Sequence, residues 1–93
     1  MMELRFDPRF PQDLESILDW YDRISSHASE KLRTSIKRQL ISIRQFPESF
    51  QLLHTDRDYR GAIVSGYPLM IVFRIEEHAI QIWRVIHLSS DWT

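Results

Sequence analysis

The chain has 93 residues, 43% hydrophobic and 27% charged, a globular mixture that excludes a disordered or collagen-like chain and leaves room for a single domain over residues 1–93. Its formal net charge of −1 argues against a general nucleic-acid binder, which needs a strongly basic surface to displace counterions. It contains no cysteine, so neither disulfides nor a thiolate zinc cluster support it. The longest apolar run, Leu69 to Phe73, is far short of a membrane span, and Met1 to Phe10 carries charges where a signal peptide would be apolar. These features point to a cytoplasmic location.

Met2 to Phe6 alternates as a short strand, with Leu4 and Phe6 on one side. Pro8 and Pro11 interrupt it, and Asp13 marks a helix start. Leu14, Ile17, Leu18, Tyr21 and Ile24 recur every three or four residues, which predicts an amphipathic helix from about Gln12 to Ile24. Ser25 to His27 reads as a tight connection, with Ser26 or Ser29 as cap of a second helix. That helix ends at Phe46, before Pro47, and lines Ala28, Leu32, Ile36, Leu40 and Ile43 along one sector. Pro47 to Asp58 reads as a connecting loop.

From Tyr59 the pattern turns β-branched and aromatic. Arg60 to Val64, Leu69 to Ile75 and Ile80 to His87 are three predicted strands, and their short links require antiparallel neighbours. The expected fold is therefore α+β: a strand, an antiparallel two-helix hairpin, then a three-stranded antiparallel meander. Placing Ile75 opposite Ile80 sets Met70, Val72 and Arg74 on one face with Gln81, Trp83, Val85 and His87. Leu69, Ile71, Phe73, Ile80, Ile82 and Ile86 would then pack on the helices, and a one-residue slip would reverse this.

Four strings in this order resemble the RelE/ParE superfamily, the toxin half of bacterial type II toxin–antitoxin pairs, over nearly the whole chain. They are Ile43-Arg44-Gln45-Phe46-Pro47-Glu48, Tyr59-Arg60-Gly61-Ala62, Tyr67 to Glu76, and Trp83 to Trp92. The resemblance implies a cognate antitoxin as partner. It also implies one of two activities: RelE-like members are similar to ribosome-dependent nucleases that cut messenger RNA with basic residues and a C-terminal Tyr or His, whereas ParE-like members poison DNA gyrase. Metal-free RNA cleavage needs a base, phosphorane-stabilising cations and an acid. Here Pro68 follows Tyr67, and Ser90 stands in His87-Leu88-Ser89-Ser90-Asp91, at two places where the resembled nucleases often carry Arg. The closer likeness is therefore to ParE-like members; the alternatives are a RelE-like ribonuclease with a reduced site and a non-toxic homologue that keeps the fold and only binds a partner.

His87, Arg74 and Arg60 are the candidate catalytic residues of a reduced nuclease site, His87 because its ordinary pKa lies near working pH. Arg84 is expected to pair with Asp19, Asp22 or Glu15. Arg33, Lys37 and Arg44 lie beside the apolar stripe of the second helix as a docking surface for an acidic partner, and Trp92 is a candidate partner anchor. Core roles are expected for Trp20 and Trp83. His54, Asp56 and Asp58 lack the closed set a metal site needs, and His87, Ser89, Ser90 and Asp91 are too close in sequence to form a hydrolase triad. No cofactor is implied.

Overall fold

The structure is a computed structural model and describes residues 2–54 and 58–88. Strand β1 (Glu3–Phe6) leads into helices α1 (Arg9–Ile24) and α2 (Ser26–Gln45). A short 3-10 turn, Pro47–Ser49, precedes strands β2 (Gln51–His54), β3 (Tyr59–Ile63), β4 (Leu69–Ile75) and β5 (Ala79–His87). The sheet runs β1-β5-β4-β3-β2, with β1 parallel to β5 and the other pairs antiparallel. This is the expected α+β arrangement with one strand more: β2 lies in the segment read as a loop and pairs with β3 through an irregular register.

Helix α1 begins three residues earlier than Gln12. Its first turn contains Pro11, which is tolerated there because that turn has no internal acceptor for the amide that proline lacks. The Asp7 carboxylate accepts the Arg9 amide at 2.9 Å, which satisfies one of the unpaired donors. Ser25 alone separates the two helices. Its amide closes α1 on the Tyr21 carbonyl, and its hydroxyl accepts the Ala28 amide at 3.0 Å, capping α2. Ser29, buried in the hairpin, donates its hydroxyl to Asp22 at 2.9 Å and ties the helices together.

The main core lies between the helices and one sheet face. Phe10, Ile17 and Leu18 of α1 and Leu32, Ile36 and Ile43 of α2 meet Ala62, Leu69, Ile71, Phe73, Ile80, Ile82 and Val85. Each fully buried Leu or Ile contributes about 1.5–3 kcal/mol. Ile24, expected in the stripe, is exposed, and Phe10 takes a core place at the other end of α1. A second cluster of Met70, Val72 and Ile86, with Leu53, Tyr59 and Trp83 packed against it, consists of strand residues only and lies on the opposite face.

Ile75 pairs with Ile80 as expected, but Phe73 pairs with Ile82 and Val72 with Arg84. Trp83 is therefore the extra residue of a β-bulge, and beyond it the side-chain alternation of β5 is reversed. Val85 turns into the main core and Ile86 onto the other face, the opposite of their expected sides. His87, opposite the core residue Leu69, lies on the helix side and not beside Arg74.

Candidate functional site

Two surfaces carry the chemistry. The first is a groove of about 660 Å³ between α1 and the end of β5, lined by Ser16, Ile17, Trp20 and Tyr21 on one wall and Val85, Ile86 and His87 on the other. It exists because β1 stops pairing at Ile82, where the Asp7 amide donates to the Ile82 carbonyl, while β5 continues to His87. The Leu88 amide bonds the Pro68 carbonyl on the β4 side, so backbone alternation directs the amides and carbonyls of Val85 and His87 toward the groove. One end is closed by Arg84, whose Nε and Nη2 donate to the two Asp13 oxygens at 2.9 and 2.8 Å. These bonds raise the Arg84 pKa above its ordinary value, against the opposing effect of desolvation. Trp20 is 58% exposed at the rim, a correction to its expected core role.

The second surface is the sheet face away from the helices. Tyr59 and Trp83 stack with centroids 4.9 Å apart and planes 28° apart. The Arg9 guanidinium lies 5.9 Å from the Trp83 ring and the Arg74 guanidinium 5.6 Å from Tyr59, distances at which a cation is attracted to a ring face. Arg74 also donates to Glu76 at 2.8 Å, and that hydrogen bond is the main cause of its raised pKa. The Met70–Val72–Ile86 cluster lies on this same face.

Comparison with known families matches residues 4–92 to the ParE toxin of the type II toxin–antitoxin system parDE. The chain belongs to the ParE toxin family. The ParE-family chain is also similar in fold to a structure of the chromosomal ParDE toxin–antitoxin system from P. aeruginosa, with a TM-score of 0.81 and 22% identity over 94% of this chain and 96% of that one. The conserved hypothetical protein HP0894 from Helicobacter pylori is more distant, with a TM-score of 0.62 and 13% identity over 97% of this chain and 98% of that one. No curated protein matches. No helix among the described residues is long and apolar enough to cross a membrane.

In this ParE-family chain the three candidate catalytic residues do not converge. Arg74 is on the open face, His87 on the helix side, and Arg60, opposite Phe73 on β3, donates to the Phe50 and Glu48 carbonyls at 2.7 and 3.3 Å. Arg60 thus secures the backbone around the 3-10 turn. Arg84 does pair with α1, but with Asp13, which lies N-terminal to all three expected acids, two residues before Glu15. Of the stripe on α2, Lys37 is exposed, Arg33 borders a hollow beside Glu15 and Asp19 of α1, and Arg44 donates its Nε to the Met2 carbonyl at 3.1 Å. Trp92 lies outside the described residues, as do Asp56, Ser89, Ser90 and Asp91. The groove was missed because it follows from a length mismatch between two paired strands, which no single segment of sequence displays.

Proposed function

We propose that this type II toxin acts by binding DNA gyrase and is neutralised by a cognate antitoxin seated in the groove between α1 and β5. The separation of Arg74, His87 and Arg60 onto different sides of the sheet carries the reading. General acid–base cleavage of RNA requires its cations and proton carriers within hydrogen-bond reach of one phosphate, whereas Arg74 is engaged by the Glu76 carboxylate and Arg60 by two backbone carbonyls, and His87 lies apart at the end of β5. A binding surface makes no such demand. The purified chain is expected to inhibit gyrase supercoiling in vitro, and His87→Ala is expected to leave that inhibition unchanged; no inhibition by the purified chain would overturn the reading. Messenger RNA cleavage on programmed ribosomes, abolished by His87→Ala, would instead establish the nuclease reading.

The groove supports the antitoxin part of the proposal. A free strand edge recruits an extended segment through backbone hydrogen bonds, and an exposed Trp beside an apolar pocket supplies the anchor that dominates interface energetics. Trp20→Asp is expected to weaken the antitoxin complex at least tenfold by titration calorimetry, with the far-UV spectrum of the free chain unchanged. Antitoxin affinity unaltered by Trp20→Asp would place the partner elsewhere.

A further inference from the structure

Another hollow, of about 320 Å³, opens where α2 meets the turn between β3 and β4, lined by Ser35, Arg38, Gln39 and Ser42 of the helix and Ser65 of the turn. The helix residues recur every three or four positions and so share one face. The Gln39 carboxamide donates to the Ile63 carbonyl at 2.6 Å and fastens the helix to the end of β3. The turn is closed by the Tyr67 amide on the Val64 carbonyl at 3.0 Å, with Gly66 at a φ of 85°, the left-handed third position of a type II turn. Among the described residues, the Arg38 guanidinium, the hydroxyls of Ser35, Ser42 and Ser65, and the amides of Ser65 and Gly66 have no hydrogen-bond or ionic partner, and none of these side-chain donors is sealed from solvent.

We infer that this hollow binds a phosphate group, free or carried by a small ester such as a nucleoside monophosphate. A guanidinium presents its donors in a rigid fork that matches two phosphate oxygens, and the hydroxyls and turn amides supply donors for the others. The lining contains no carboxylate to repel an anion, whereas the groove beside β5 contains Asp13 and the hollow beside Arg33 contains Glu15 and Asp19. The local field is favourable as well. From Lys31 to Pro47 the chain carries Lys31, Arg33, Lys37, Arg38 and Arg44 and no acid, so this stretch is positive although the whole chain is not. One cation ringed by short donors suits a single phosphate and not the row of phosphates along a duplex.

Titration of the full chain with sodium phosphate, followed by NMR, tests the site. Saturable shifts of the Ser65 and Gly66 amides, the Arg38 guanidinium and the Gln39 carboxamide are expected, and sodium chloride at equal ionic strength does not produce them. Arg38→Gln, at an exposed position, should weaken binding about tenfold, the worth of one charge-assisted hydrogen bond, with the far-UV spectrum unchanged. Arg5→Gln removes the same charge from β1, at the other side of the sheet, and should leave the affinity unaltered. Adenosine monophosphate binding more tightly than phosphate assigns the hollow to an ester, and equal or weaker binding assigns it to the free anion. Shifts that do not saturate, that chloride reproduces, or that persist undiminished in Arg38→Gln overturn the inference. Acetate binding as tightly as phosphate overturns it too, because the hollow would then suit a carboxylate of a protein partner. None of these measurements involves gyrase or the antitoxin, so this site and the proposed function stand or fall separately.

Discussion

Arg84 and Asp13 show how one ion pair positions a surface. Two charge-assisted bonds in a fork geometry fix the guanidinium plane, which a lysine cannot reproduce. Over a third of the Arg84 side chain is open to solvent, so screening reduces its worth. A double-mutant cycle on Asp13→Ala and Arg84→Ala is expected to give a coupling of about 1 kcal/mol by urea denaturation, and Arg84→Lys recovers less than half of it. Gly61 illustrates the opposite constraint. A methyl group there would lie 2.5 Å from the Met70 sulfur and 3.0 Å from Leu53 Cδ2. The Met70 thioether can swing aside, so Gly61→Ala costs within about 1 kcal/mol, whereas Gly61→Val overpacks the cluster by about 1–3 kcal/mol. Combining Gly61→Val with Met70→Ala restores part of that loss in the same assay.

At the scale of elements, the helix hairpin turns on Ser25, which ends one helix and caps the next. Ser25→Ala removes the acceptor of the Ala28 amide and lowers stability by about 1 kcal/mol, while Ser25→Gly costs only a few tenths. Thermal melts followed by circular dichroism distinguish the two. The hairpin and the three long strands were legible because their apolar periodicities are local: Leu32, Ile36 and Ile43 recur with helical spacing, and the run Leu69 to Ile75 is recovered at both ends. Strand β2 was hidden because Gln51-Leu52-Leu53-His54 has no clear alternation and owes its form to pairing with β3. The side reversal of Val85 and Ile86 was hidden for another reason. A bulge is a relation between two strands, and nothing within β5 marks Trp83 as the residue left over. The misplacement of His87 beside Arg74 followed from that one residue.

At the scale of the whole molecule, charge separates two routes to the proposed target, gyrase. A toxin could approach through the enzyme's bound DNA or through its protein surface. A net charge of −1 with pI near 6.4 provides little counterion release. The isolated chain is expected to bind duplex DNA no better than a non-specific protein at physiological salt, in a gel-shift titration, while still engaging gyrase subunits without DNA. The sheet also joins distant parts of the chain: β1 has its partner in β5, held in parallel from Glu3–Ala79 to Phe6–Ile82. During translation, then, the first strand and both helices leave the ribosome long before the strand that receives them. A nascent chain halted by a premature stop within β4 would lack the centre of its sheet. Such a product would be a target for proteolysis, so a bacterium carrying a damaged copy of the gene would make debris and not a poison.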